Sequence, residues 1–207
     1  MLAFFAFFVK KLCASLWLIS PTKGPLNYLP QMLEFKHKKF KMRLVDENDA
    51  AFILELRTDP HLAKYLNPTS PEIKSQLKWI REYKKREQAK TEFYFLFESY
   101  TGEKLGLTRI YNFTGDTFEF GSWIFKKNKN SPIPKLADLA TKDFAFNELR
   151  FKKCVIIVNK KNINVIQYQK LFHPDVSEDE VNYYFSIDYN TYNLNKQKAI
   201  KLFKVTM

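Results

Sequence analysis

Residues 117–135 read TFEFGSWIFKKNKNSPIPK. The first nine are rich in Phe, Trp and Ile and begin just after Thr114-Gly115-Asp116, a turn signal. They therefore read as a strand that folds back on a preceding strand over Leu105–Phe113. The apolar run stops at Lys126, and ten residues of Lys, Asn, Ser, Pro and Ile follow. A helix is predicted from about Lys135 to Leu149, with Leu136, Leu139, Ala140, Phe144 and Leu149 on its apolar side. Beyond it, Cys154–Val158 (CVIIV) is wholly apolar and is predicted to be a strand buried on both faces. A strand, a helix and a strand in this order make a crossover, the connection that places two strands in parallel.

Working outward, Phe40, Met42 and Leu44 alternate with charged residues as a short strand. Asp46 or Asn48 can cap a helix from about Asp49 to Arg57. Ser70-Pro71-Glu72 predicts the start of a second helix, with Ser70 as cap and a stripe of Ile73, Leu77, Ile80 and Tyr83. Phe93–Glu98 is an aromatic strand joined to the next by Thr101-Gly102-Glu103. On the C-terminal side, Asn162–Phe172 reads as a helix, Tyr183–Ile187 as a strand, and Tyr189–Met207 as a helical tail rich in Lys and Asn. The links between the three central strands are too short for parallel pairing. The predicted fold is α+β, a mixed, mostly antiparallel twisted sheet of about six strands flanked by helices.

The chain has 207 residues, 45% apolar and 16% aromatic, enough for one domain with a sizeable core. Its net charge is +12. Residues 1–41 hold seven Lys and one acid, whereas the remainder holds 27 basic and 21 acidic residues. The main domain is thus only mildly basic. Glycine is scarce, with five in all, and neither the dinucleotide-binding fingerprint nor the P-loop pattern occurs. No nucleophile elbow is present. Cys13 and Cys154 are too few for a zinc cluster, and together with the absence of a disulfide framework they point to a reducing compartment, the cytoplasm. His37, His61 and His173 have no metal-ligand spacing, so no metal is expected. Nucleic acid is not an expected partner, because the aromatic residues sit in core-like periodicities rather than among the lysines.

Residues 1–20, MLAFFAFFVKKLCASLWLIS, hold two apolar runs split by Lys10 and Lys11, which disfavours both a membrane span and a signal peptide. Three readings stay open: an interfacial anchor that brings residues 1–20 to a membrane, an ordered arm, or an extension upstream of a true start at Met32. The expected division is an extension and linker over 1–35, a domain over 36–188 and the helical tail over 189–207. A homodimer is left open.

The junction after Phe125 is the strongest physical site. A helix N-terminus offers unpaired amides and a partial positive charge, and Lys126, Lys127, Lys129 and Lys135 surround it, which suits phosphates.

Over most of its length, from about Phe40 to Ile187, the sequence resembles the GNAT superfamily of acetyl-CoA-dependent N-acetyltransferases. The resemblance lies in MRLVDENDAAFILELRTDP, FGSWIF, the SPIPKLADLATKDFAFNELRFKK stretch and VNKKNINVIQYQKLF, where Asn162, Val165, Ile166 and Lys170 fall in register with the family's helix pattern. The resemblance implies a sheet splayed between the fourth and fifth strands. The pantetheine arm of acetyl-CoA would lie between them, against Trp123, Ile124, Phe125 and Asn162. It also implies that the loop of Lys127, Asn128, Lys129, Asn130 and Ser131, with Lys135, holds the pyrophosphate. Glu119, an acid in an otherwise apolar strand, is then the candidate catalytic base, and Arg109, Tyr111 and Asn112 the candidate lining of the acceptor site. Two positions depart from the family's pattern. The loop lacks glycine, as in sugar-modifying members that carry a Ser-Pro loop, and Gln169 stands where many members place a Tyr acid, with Tyr168 and His173 nearby. The implied activity is acetyl transfer to a small-molecule primary amine. The ELRTDP and GSW segments are most similar to members that modify amino-sugar nucleotides. A protein N-terminal amine, or a non-catalytic basic binding module on the same scaffold, are the competing expectations.

Overall fold

The protein is described here by a computed structural model covering residues 35–37, 39–128 and 131–202. The readings of residues 1–20 and of Lys129 and Asn130 lie outside the described residues. The strands are β1 (Phe35–His37), β2 (Phe40–Leu44), β3 (Phe93–Glu98), β4 (Lys104–Thr114), β5 (Thr117–Phe125), β6 (Lys153–Asn159), β7 (Asp175–Glu178) and β8 (Asn182–Asp188). The helices are α1 (Ala50–Thr58), α2 (Ile73–Gln88), α3 (Ile133–Asp143), α4 (Ile163–Lys170) and α5 (Tyr189–Leu202). The strands are joined in one sheet in the order β1-β2-β3-β4-β5-β6-β8-β7. Every adjacent pair is antiparallel except β5 and β6, which run parallel across the α3 crossover. The six expected strands are present. The two additions, β1 and β7, are short edge strands, and β7 is exposed throughout, so no alternation marks it in the sequence.

Two layers of helix cover the sheet unequally. On one face, α1 and α2 bury Phe52, Ile53, Leu56, Ile80 and Tyr83 against Val45, Tyr94, Leu96, Leu107 and Ile124 from β3–β5 and the end of β2. On the other, α3, α4 and α5 bury a larger cluster around Phe93, Phe95, Phe118, Phe120, Phe146, Phe172 and Tyr192. The stretch read as a helical tail therefore contributes Tyr192, Ala199 and Ile200 to this core. The Tyr192 hydroxyl lies 3.1 Å from the Leu139 carbonyl and 2.9 Å from the Asp143 carboxylate.

Local chemistry sets the helix ends. Asp46 accepts the Asn48 N–H at 2.7 Å, and Asp49 accepts the Asp46 N–H at 2.9 Å, a reciprocal capping box. It opens a 3₁₀ turn, Glu47–Asp49, that runs into α1. The predicted start of α2 at Ser70 is corrected. The helix begins at Ile73 with Glu72 extended at φ −85° and ψ 125°, and Ser70 only caps the bend ahead of it, accepting the Glu72 N–H at 3.4 Å. α3 starts two residues earlier than predicted and ends in a π-helical turn, Phe144–Glu148.

A second correction bears on the site. Cys154, Ile156 and Val158 are buried, but Val155 is only half-buried and Ile157 is 43% exposed. The wholly apolar run is thus covered on one face only. The reason is that α1 and α2 pack over β2–β5, and none of the core residues of their layer comes from β6.

Candidate active site

β5 and β6 pair over only three residues: Thr117 with Lys153, Phe118 with Cys154, and Glu119 with Val155. Past Glu119 the two strands diverge. On its other side β5 carries a bulge. Arg109 faces Gly121, yet Leu107 faces Ile124, so β5 has one residue more than β4 over this step. Ser122 sits in the bulge at φ 47°. The extra residue inverts the alternation. Phe118 and Phe120 before it join the α3 side of the core, and so do Trp123 and Phe125 after it, while Ile124 turns to the α1–α2 side. Trp123 ties the bulge to the first turn of α3 by donating its indole N–H to the Pro134 carbonyl at 2.8 Å.

The result is a cleft whose walls are the diverging, C-terminal halves of two parallel strands. Each strand leads into a helix at the same end, β5 into α3 and β6 into α4. Such a crevice, with two helix N-termini at its rim, is where open α/β sheets take phosphate-bearing ligands. The rim of the β5 side is shaped by Ser131, whose N–H reaches the Asn128 carbonyl at 3.1 Å and whose hydroxyl accepts the Ile133 N–H at 3.3 Å. Half-buried Val155 and exposed Ile157 add apolar surface on β6.

On the α1–α2 side, a cavity of about 350 Å³ reaches the bulge at Ser122 and is lined by Arg57, Gln76, Trp79, Tyr94 and Arg109 among others. No acidic residue lines it. The segment between α1 and α2 closes over its flank, and the Tyr65 hydroxyl there donates to the Lys161 carbonyl at 3.0 Å, beside the start of α4.

The family described as "Acetyltransferase (GNAT) domain" matches residues 39–170. This chain belongs to the GNAT acetyltransferases. Among solved structures, one titled "Apo FdhC- a nucleotide-linked sugar GNAT" is 32% identical, covers 80% of this chain and 95% of its own, and has a TM-score of 0.69. The ribosomal-protein-S5-alanine acetyltransferase from Vibrio fischeri is 14% identical over 77% of this chain and 98% of its own, with a TM-score of 0.65. A spermidine N-acetyltransferase from Vibrio cholerae, in complex with CoA and spermine, is 16% identical over 76% of this chain and 99% of its own, with a TM-score of 0.62. The last two show the fold alone. Among curated proteins none is similar enough in sequence to count as a match. The chain is a GNAT-type N-acetyltransferase, with the sheet and splay of that fold.

Within the GNAT frame, the sequence-predicted residues fall on three places. Trp123, Ile124 and Phe125 form the splayed half of β5; Ile124 and Phe125 are buried, and Trp123 is half-buried with its ring 4.9 Å from that of Tyr168. Lys127 and Asn128 are exposed in the loop after β5, Ser131 and Lys135 are half-buried at the start of α3, and Asn162 is the N-cap of α4 with no side-chain cap bond. Lys126 instead turns back toward Glu55, 3.7 Å away, and the Phe52 ring.

The third place is the β4–β5 hairpin. Tyr111 and Glu119 are register partners. Tyr111 donates to one oxygen of Glu119 at 2.5 Å and the Asn112 amide to the other at 2.8 Å. Burial first, then the Glu119 carboxylate, push the Tyr111 phenol well above its ordinary pKa, so Tyr111 is held as a hydrogen-bond donor. Of the three predicted acceptor residues, Arg109 lines the cavity, and Tyr111 and Asn112 donate to Glu119. Arg109 pairs with Glu92 at 2.7 Å and stacks on the Tyr111 ring at 4.3 Å.

At the floor of the core, Gln169 is fully buried and accepts from Lys142 at 3.1 Å. Lys142 is itself fully buried and lies 2.9 Å from Asp138. Tyr168 donates to Asp138 at 2.7 Å, and burial together with that carboxylate drives its pKa far up. His173 is exposed at φ 51°. Cys154 has no exposed surface, and burial pushes its thiol up to about 12, as suits an inert core residue.

The sequence reading missed Arg57, Trp79, Tyr94 and Ser122. Arg57 stood only as the last residue of the predicted first helix, and Tyr94 as one aromatic among many in β3. Gly121 was the available signal for Ser122, because a lone glycine inside a strand often marks a bulge. Among the described residues, no cluster of His, Cys, Asp and Glu could hold a metal ion, and no helix is long and apolar enough to cross a membrane.

Proposed function

We propose that this enzyme transfers an acetyl group from acetyl-CoA to the primary amine of a nucleotide-linked amino sugar. The observation that carries the reading is the acceptor cavity, which presents Arg57 and Arg109 and no acid. A polyamine is multiply cationic near neutral pH and would be repelled there, whereas a nucleotide-linked sugar brings negative charge. The 32% identity to a nucleotide-linked sugar GNAT supports the same choice. We read the enzyme as cytoplasmic, a reading that the cysteine usage supports.

Acetyl-CoA supplies an activated acyl group, a thioester whose carbonyl an amine can attack. The cleft fits it: the partly exposed Val155 and Ile157 suit an extended, partly apolar arm, and the loop and helix start at Lys127, Asn128, Ser131 and Lys135 suit a pyrophosphate. On this reading Asn162 contacts the arm from the β6 side. Glu119 accepts the proton that the attacking amine must lose, directly or through one water. The backbone donors of the bulge at Ser122 and Trp123 stabilise the charge that develops on the carbonyl oxygen. Gln169 is bound into the core and Tyr168 into Asp138, so the departing thiolate takes its proton from solvent. The test follows release of CoA with a dTDP-linked 4-amino sugar and with spermidine. Turnover of the sugar at least tenfold above that of spermidine is the expected result; the reverse preference would refute the proposal.

A further inference from the structure

The acceptor cavity is unbalanced in charge. Arg57 is half-buried and held in place by two neutral partners: its Nε donates to the Thr69 hydroxyl at 2.7 Å and one Nη to the Asn67 carbonyl at 2.9 Å. It takes part in none of the ion pairs among the described residues. Arg109, by contrast, pairs with Glu92, a carboxylate that it shares with Arg86. Beside Arg57 lies the Tyr94 hydroxyl. Tyr94 is 2% exposed, and its hydroxyl has no acceptor within the protein; only the Arg57 guanidinium, itself a donor, lies close to the oxygen. Burial pushes the phenol up to about 12, with Arg57 and Arg109 pulling the other way, so it is a neutral donor at physiological pH. Buried polar groups are normally satisfied. A guanidinium outside every ion pair and a phenol with no acceptor, on one cavity wall, together suit an anion with acceptor oxygens.

The position of Arg57 says which anion. A second hollow of about 410 Å³ adjoins the cavity and shares Arg57, Pro68 and Thr69 with it; Pro60, Ala63 and Pro71 add apolar surface. Asp59 also lines it, but its carboxylate is engaged by the His61 and Leu62 amides at 2.8 and 2.9 Å. Arg57 thus stands at the boundary of two compartments, one reaching the bulge and one leading away from it. In a nucleotide-linked sugar the diphosphate likewise separates the sugar from the nucleoside.

We propose that Arg57 and Tyr94 form a phosphate subsite that grips the diphosphate of the acceptor, with the sugar toward Ser122 and the nucleoside over Pro68. The assignment rests on the reading of the acceptor as a nucleotide-linked amino sugar. The planar fork of Arg57, already fixed by Thr69 and Asn67, offers its remaining donors to phosphate oxygens in a preset geometry that lysine cannot reproduce.

The test is calorimetric titration of dTDP and UDP into the full chain without acetyl-CoA, for wild type, Arg57→Lys and Tyr94→Phe. Wild type should bind at least one of the two nucleotides. Tyr94→Phe should weaken that binding about 10-fold or more, the scale of one hydrogen bond to a charged group, and Arg57→Lys at least as much. Because the Tyr94 hydroxyl donates to no acceptor within the protein, Tyr94→Phe should leave the melting temperature of the unliganded chain unchanged or raised, which separates ligand binding from a folding role. Affinity for acetyl-CoA should stay the same in both variants. Wild type that binds neither nucleotide, or variants that bind as wild type does, would overturn the subsite. The two readings separate cleanly. Loss of nucleotide binding in both variants, with no acetylation of a dTDP-linked amino sugar by wild type, would keep the subsite and remove the acceptor assignment. Acetylation of that sugar with unchanged nucleotide affinity in the variants would do the opposite.

Discussion

Ser122 adopts a left-handed backbone at φ 47°, a conformation that costs a residue with a Cβ about 1–2 kcal/mol. Packing maintains it: Trp123 is bonded to Pro134 on one side, and β4 holds the flanking residues in register on the other. Three residues before the bulge, Glu119 is oriented by Tyr111 and Asn112. That orientation makes the base assignment testable. Glu119→Gln should lower kcat on the amine substrate about 100-fold at neutral pH. The deficit should shrink as the pH rises, because an amine that is already deprotonated needs no base. Affinity for acetyl-CoA should not change. Steady-state rates from pH 6 to 9 decide it, and a variant as active as wild type throughout would exclude Glu119. The acid itself was plain in the sequence. Its two hydrogen-bond donors were not assigned that role, because Tyr111 and Asn112 lie across the hairpin and looked like pocket lining.

Elements are joined to one another here by charges taken out of water. Asp49, whose side chain has no exposed surface, ties the start of α1 to β2 through Arg43 at 2.8 and 2.9 Å, and to the start of β4 through Lys104 at 2.7 Å. Burial alone would raise its pKa. The bonds from Arg43, the Asp46 amide and Lys104 outweigh burial and hold it below the ordinary carboxylate value. A lowered folded pKa means that the ionised form stabilises the fold above the unfolded pKa, about 3.9, and that this stability disappears as pH falls through the folded value. Asp49→Asn should therefore cost about 3–5 kcal/mol at pH 7. The gap between variant and wild type should narrow below about pH 4. Urea unfolding at pH 7 and pH 3 measures both; a gap of the same size at the two pH values would dismiss the assignment. The cap at Asp46 was legible from the DEND stretch. The ion pairs of Asp49 were not, because Arg43 and Lys104 come from different strands.

For the molecule as a whole, basic charge is concentrated in the first 41 residues, while the described domain is held together by strands and helices from Phe35 onward. A chain shortened to begin at Met32 keeps every described element. It should melt within about 2–4 °C of the full chain, the shift that about 1 kcal/mol produces at this size, and bind acetyl-CoA equally well. A larger loss in a thermal melt would mean that residues 1–31 pack on the domain. α5 behaves in the opposite way to a dispensable tail. Tyr192 is buried against α3, and Lys196 is paired with Asp143, so the helix is part of the buried core.

Periodicity along one segment was enough to read the meander, the crossover and the helix after Phe125, because those features depend on neighbours in sequence: alternation in β5, turn residues at 114–116, and a 3.6-residue stripe in α3. The same one-dimensional signal misjudged Cys154–Val158, since an apolar run does not say how far the helices on each side extend. It could place Lys142 and Asp138 one turn apart on α3 but not bury them. It could place Arg57 at the end of α1 and Tyr94 in β3 without bringing them to one cavity. Charge balance and hydrogen-bond satisfaction are properties of a surrounding volume, filled by segments far apart in the chain. Packing therefore decided what Arg57 and Tyr94 lack, and which face of β6 stayed bare.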